Sequence, residues 1–370
     1  MDESRKVVLI LGNGFDLDLG LKTSYKDFWE SKYCPKDYPA PLIKHLNKRW
    51  PEKREAVKWY DLENELLNYY LLLREKSSMF DVITEEERDF IKNVDLESLV
   101  YGISRDYIQL AQSLIEKEVL RVSYSPMIKY DIPYKDDLLM DSVSRDNKAL
   151  QLIKERLCDY LCSIQTTVPH SSTIAFQVLA FLDEYSKKEN VVNIYTFNYT
   201  KVQLNGRDPD YAKVYYMHGN CKDGKVIIGT RDDFQMDVRY DFLQKSFDPD
   251  FDPPGLVTAL QEADEIVIFG HSLGENDRQY FKALFKQQTD FSNFRCKDIT
   301  IFTKDDDSEI QVKRSLQNLT DGNLSALYGL NHFQIIKTGN IQKDQGRLLD
   351  FLVKHGKDEL ATREFIGKYL

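Results

Sequence analysis

Lys6 to Leu11, KVVLIL, runs straight into Gly12-Asn13-Gly14, and the next comparable β-branched run begins only at Val191. A short, wholly apolar strand is the pattern of one buried on both faces, as in a parallel sheet. Its partners lie far away in sequence. Between them, 3.6-residue periodicity predicts helices over Trp59 to Arg74, Glu85 to Lys92, Arg105 to Val119, Asn147 to Gln165 and Ser172 to Lys187. Short β runs then return at Val191 to Phe197, Lys213 to Met217, Val226 to Ile228, Glu265 to Phe269, Asp298 to Phe302 and Phe333 to Ile336, with helical stretches such as Asn276 to Gln287 and Ser308 to Leu319 between them. This alternation is that of an α/β chain with a Rossmann-like parallel sheet. The expected organisation is a first βα unit at residues 1–32, a helical insertion at 33–190, the rest of the sheet domain at 191–345 and a helical tail at 346–370.

Composition narrows the classes. Of 370 residues 42% are hydrophobic, enough for a packed core, and 60 acidic against 50 basic residues give a net charge of −10. That balance argues against a nucleic-acid surface, which gains affinity by neutralising phosphates. The five cysteines, at 34, 158, 162, 221 and 296, form no CxxC pair and suggest neither a disulfide framework nor a metal site. No apolar stretch approaches the roughly 20 residues of a membrane span, so a cytoplasmic protein without a membrane partner is expected.

In open parallel sheets ligands bind beyond the carboxyl ends of the strands, so polar residues at strand exits are the candidates. Gly12 and Gly14 would allow close backbone approach by a phosphate, although Leu17 stands where a dinucleotide fingerprint has its third glycine. Asn198 follows the run at 191 and can donate or accept. His218 and Gly219 follow the run at 213, placing an imidazole for acid–base work near neutral pH. Gly270-His271-Ser272-Leu273-Gly274 fits the G-x-S-x-G pattern of a serine hydrolase elbow. Each motif has a bland reading as a turn or cap; their shared position at strand exits favours one crevice.

The stretch from Gly12 to Asp16, followed by Gly20-Leu21-Lys22-Thr23-Ser24-Tyr25, resembles the opening of the AbiH family of bacterial abortive-infection proteins. Trp59-Tyr60-Asp61-Leu62-Glu63 is similar to a W-x-D-x-E element of that family. More distantly, Gly12 to Asp16 resembles the GAG-x-S loop of sirtuin-like domains, Thr196-Phe197-Asn198-Tyr199 their T-x-N motif and Met217-His218-Gly219 their catalytic HG. Gly270-His271-Ser272, with Asp277 beyond, looks like their late nucleotide-packing turn. Asp16, Lys22 and Thr200 depart from that pattern, where it has Ser, Pro and Asp. The resemblance implies an anti-phage NAD glycohydrolase with NAD as substrate; the sequence itself gives no role for a metal or prosthetic group. Asn198 and His218 would be catalytic, and Gly12, Asn13, Gly14, Phe15, Asp16, Thr23, Gly270, His271, Ser272 and Asp277 would contact the nucleotide. A regulating partner protein and a homo-oligomer are compatible with this reading.

Two other classes stay open. A catalytically degenerate nucleotide sensor acting through a partner would account for Thr200 and Asp16. A serine hydrolase would use Ser272 with one of Asp305 to Asp307 and His332. Against the latter, His332 precedes its strand and Glu275 to Arg278 replace the small residues of an elbow helix.

Overall fold

The computed structural model describes residues 4–54, 61–80, 85–95, 105–116, 120–123, 129–131, 142–165, 172–188, 190–356 and 363. They divide into two compact units. One comprises residues 1–34, 153–235 and 244–370, the other 35–152 and 236–243.

The first unit is built on a six-stranded, all-parallel sheet. Counting strands along the whole chain, it contains β1 (Lys6–Leu11), β4 (Val191–Thr196), β5 (Lys213–Tyr216), β6 (Glu265–Phe269), β7 (Asp298–Thr303) and β8 (His332–Lys337), in the spatial order β5-β4-β1-β6-β7-β8. From β1 the chain moves outward through β4 and β5, then returns to β6 on the other side. The order therefore reverses between β1 and β6, as in a dinucleotide-binding sheet. Registers Leu11↔Thr196, Leu11↔Phe269 and Thr196↔Tyr216 align the carboxyl ends of these four strands. Gly12, Phe197, Met217 and Gly270 thus leave the sheet side by side.

Alternation along β1 sends its side chains into two layers. Val7, Leu9 and Leu11 pack with Val178, Leu179 and Leu182 of the helix Ile174–Ser186 and with Leu348 and Phe351 of Ile341–His355. Val8 and Ile10 pack with Leu260, Phe281, Leu284 and Leu316 from helices Leu256–Glu262, Arg278–Gln287 and Asp306–Leu319. With both faces covered, β6 is buried along its whole length, and at about 25 cal/mol per Å² of apolar area this burial is the main stabilising contribution.

The second unit contains helices Pro41–Arg54, Leu62–Phe80, Glu85–Asn93 and Arg105–Glu116, and an antiparallel pair, β2 (Arg121–Ser123) and β3 (Lys129–Asp131). Its buried Asp146 accepts hydrogen bonds from Leu42 N at 2.9 Å and from the Tyr69 hydroxyl at 2.5 Å, and its buried Glu65 lies 3.3 Å from Arg49 Nε.

The expected insertion of 33–190 is divided differently here. Residues 153–190 go with the sheet, because the apolar face of Ile174–Ser186 covers β1 and β4; a helix of the expected tail, Ile341–His355, starts earlier and covers the same layer. Val226 to Ile228 is not a strand. These buried residues follow Gly224 at φ 70° and make one contact that matters below, Ile227 N to His218 O at 3.0 Å. Trp59, Tyr60 and residues 117–119, expected to be helical, lie outside the described residues, as does most of the expected tail beyond 356. Among the described residues no helix is long and apolar enough to cross a membrane.

Candidate active site

The loops after β1 and β6 meet backbone to backbone. Gly14 N donates to Gly270 O at 2.9 Å and Gly12 N to Phe269 O at 3.0 Å. A Cβ on Gly12 would stand 2.5 Å from His271 Cα, and one on Gly14 2.6 Å from Gly270 Cα. Gly270 itself sits at φ 64°. What these glycines admit here is each other's chain, and the Gly12 and Gly14 amides expected for a phosphate are committed within the protein. The neighbouring expected contacts are similarly engaged. Thr23 Oγ1 donates to Asn13 Oδ1 at 2.6 Å, and Phe15 lies in the core with its ring edge-on to Phe269, centroids 5.6 Å apart.

Asn198, buried at the exit of β4, donates from Nδ2 to Gly12 O at 3.0 Å and so ties β4 to the glycine loop. Beside it Thr200 donates to Asp16 Oδ2 at 2.5 Å. These two departures from the sirtuin-like pattern are therefore bonded to one another. Burial pushes the Asp16 carboxyl up to about 7, against the opposing effect of the hydrogen bonds from Thr200 and Asn198. Because the folded state holds this proton more tightly than the unfolded one, Asp16 lowers stability progressively as pH rises from about 4 to about 7. Asp16→Asn is expected to be more stable than the wild type by up to about 4 kcal/mol at pH 8, from the size of the shift, and by only about 1 kcal/mol at pH 4.5. Urea midpoints at the two pH values check this, and a constant difference would refute the buried carboxyl's role.

Beyond β5 and β6, four polar side chains converge. His218 Nε2 lies 3.6 Å from Asp277 Oδ1, His271 Nε2 lies 3.4 Å from Asp277 Oδ2, and Lys245 Nζ stands 3.4 Å from both Asp277 Oδ1 and His218 Nε2. Both imidazoles and the Lys245 side chain are buried, and the Phe197 ring packs on both imidazoles. His271 Nδ1 accepts from Leu273 N at 3.0 Å, so the neutral ring carries its proton on Nε2, facing Asp277. Asp277 precedes the helix Arg278–Gln287 without capping it; its carboxylate serves the cluster instead.

Burial, then the Lys245 charge, depress the His218 imidazole to about 3, more strongly than Asp277 raises it. His218 is thus a neutral base at pH 7. Burial alone would raise Asp277, but Lys245, the His271 hydrogen bond and the two imidazoles hold it well below the usual carboxylate range. Lys245→Met should raise the His218 pKa, measured as the pH midpoint of its imidazole NMR resonance; a downward or absent shift would contradict this electrostatic account. Among the described residues no group of three or more His, Cys, Asp and Glu is arranged to hold a metal ion.

Ser272 is exposed, and the helix begins only at Arg278, so the tight strand-to-helix elbow is missing. His332 opens β8, at the opposite end of the sheet from the Ser272 turn, and Asp305 caps its own helix through Ser308 N at 2.9 Å. No triad forms from these residues.

The sequence profile of the bacteriophage abortive infection AbiH family matches residues 8–296. The chain belongs to the AbiH family. No curated protein matches it. The AbiH match takes in the glycine loop, Asn198, His218, Lys245, His271 and Asp277, and stops before β7. The sirtuin-like link remains a likeness of motifs. In the AbiH element Trp59 to Glu63, Trp59 and Tyr60 lie outside the described residues, and Glu63 is buried in the helical unit. Lys245 carries no sequence signal: it lies in a region of short turns 27 residues after His218.

Proposed function

We propose that this AbiH protein is a latent abortive-infection effector that hydrolyses NAD at the nicotinamide–ribose bond. The observation carrying this reading is the arrival of a neutral, buried imidazole and an ionised carboxylate at the carboxyl ends of β5 and β6, beside the β1/β6 reversal. In the reaction the bond between the pyridinium nitrogen and the anomeric carbon breaks, and its electron pair neutralises the departing nicotinamide. Water adds to the cation-like ribose and gives its proton to His218 Nε2, while Asp277 stabilises the positive charge. ADP-ribose is the second product.

Lys245 covers His218 in this structure. Lys245 Nζ stands 3.4 Å from the nitrogen that must receive the proton, so activation requires this ammonium to withdraw. A trigger or partner protein that moves the Lys245 segment would turn the enzyme on. The alternative of a nucleotide sensor without catalysis draws on the Gly12, Gly14 and Asn198 donors already being engaged within the protein.

The readings separate in one assay, with purified protein, extract of phage-infected cells as trigger, NAD and a short acyl ester. Equal yields of nicotinamide and ADP-ribose by mass spectrometry support the proposal. NAD bound but unchanged favours the sensor, and ester cleavage without NAD loss refutes the glycohydrolase.

A further inference from the structure

Asp248 lies three positions after Lys245, and the chain between them is a single 3₁₀ turn, Lys245–Phe247. Asp248 N donates to Lys245 O at 3.0 Å and Phe247 N to Gln244 O at 3.2 Å. At about 2 Å of rise per residue this turn spaces the two residues about 6 Å apart along its axis, so neither is displaced far without carrying the other. The Asp248 side chain reaches the helix Ser142–Ile164, where Lys154 Nζ donates to Asp248 Oδ2. Lys154, Lys245 and Asp248 all belong to the sheet unit. The paired side chains of Lys154 and Asp248 are only 8% and 9% exposed, against 55% and 50% in the neighbouring Lys225–Asp250 bridge. An exposed pair contributes little, whereas a buried one cannot lose a partner without stranding a charge in low dielectric.

We infer that the Lys154–Asp248 ion pair is the clasp that holds Lys245 over His218, and that breaking it frees the imidazole for reaction. This rests on the proposed function for what is released, and adds to it the contact that a trigger has to undo. The two ends of the clasp are anchored unequally. Lys154 sits in the middle of a 23-residue helix, next to buried Ile153 and one turn from buried Leu157. On the other side Ser246, Phe247, Pro249 and Asp250 are exposed, so a stranded Asp248 carboxylate reaches water by a short outward swing. The 3₁₀ turn then takes Lys245 with it. Other bonds of this segment end on residues 230–234, which belong to no helix or strand: Lys245 N donates to Thr230 O at 3.3 Å, Gln244 Nε2 to Phe234 O at 2.9 Å and Ser246 Oγ to Asp232 Oδ1 at 2.6 Å.

Withdrawal changes the chemistry as well as the access. Without the ammonium at 3.4 Å, His218 Nε2 keeps Asp277 Oδ1 at 3.6 Å, and the imidazole becomes a stronger base than it is beneath Lys245. Asp277 retains His271 at 3.4 Å.

The test uses the full chain without trigger and includes two readouts that do not depend on turnover. Labelling with acetic anhydride, followed by peptide mass spectrometry, measures access to each lysine, and the NMR midpoint of the His218 imidazole reports the ammonium beside it. Lys297, buried and donating to Gln261 O at 2.9 Å, is the internal control for global unfolding. In wild type, Lys154 and Lys245 should be acetylated at one common rate and faster than Lys297. Asp248→Asn and Lys154→Met each leave one charge unpaired. Each should raise both Lys245 labelling and untriggered NAD cleavage by roughly tenfold or more and move the imidazole midpoint upward, with Lys297 labelling unchanged. Lys154→Met/Asp248→Leu, which removes both charges and refills the space, should return labelling and midpoint to wild-type values. Lys245 labelling that stays at the wild-type rate in the single variants, or rises equally in the double variant, overturns the clasp and leaves the proposed function standing. Faster labelling and a raised midpoint without NAD cleavage, even with trigger, uphold the clasp and overturn the proposed function. Should neither single variant fold, the wild-type rates decide: Lys154 and Lys245 labelled together ahead of Lys297 uphold the clasp, and Lys245 labelled independently of Lys154 overturns it.

Discussion

Replacing His218 with alanine is expected to lower triggered NAD cleavage by roughly 10²–10⁴-fold, the usual contribution of a placed general base. The argument is one of state as well as position. An ordinary histidine is partly protonated at pH 7, but burial and the Lys245 ammonium keep this one neutral, so its Nε2 lone pair is available once Lys245 withdraws. His218 is buried against Phe197, so truncation to alanine also leaves a void. His218→Gln, which fills the space without a comparable base, separates the two effects. Both variants should fail in kcat while His218→Gln keeps a near-native urea midpoint. Activity retained in His218→Gln would remove the base from the mechanism.

The second large effect concerns architecture. Gly270→Ala is expected to destabilise the sheet unit by about 3 kcal/mol or more, combining the cost of a side chain in the left-handed region with overpacking. At φ 64° its Cβ would overlap both Gly14 C and Phe15 N, backbone atoms that cannot turn aside. Gly206 provides the control. It has φ 79° with nothing within 4 Å of the position a Cβ would take, so Gly206→Ala should lose only about 1–2 kcal/mol. Chemical denaturation of the two variants measures the difference. Equal losses would mean that the β1 and β6 loops are not pressed together as described.

His218 and Gly270 also show how far the sequence alone reaches. Both, like Asn198 and Gly12, are visible in it because each follows an apolar run short enough to be a buried strand, and parallel strands place their exits along one edge. The exact strand order is not visible, since the sequence does not say on which side of β1 each later strand adds. The role of the glycines is half legible. A sequence shows that something must approach closely at Gly12 and Gly14, and only the fold shows that it is Gly270 and His271. Val226 to Ile228 has strand-like composition but pairs through one bond to His218 O, because burial alone favours apolar residues there. The helix Ile174–Ser186 reads as part of the insertion because an apolar helix face looks the same whichever surface it covers. Lys245 is invisible: a lysine in an irregular segment is ordinarily a solvated one, and its importance comes from 3.4 Å contacts made across the fold.

The central claim is that one nucleotide is held and cleaved where the chain segments following β1, β4, β5 and β6 converge. The most direct measurement is a structure of the Asp277→Asn protein, slowed in turnover, with NAD bound. The account predicts the nicotinamide ribose within hydrogen-bonding reach of His218 Nε2. NAD lodged elsewhere, with His218 still covered by Lys245, would contradict it.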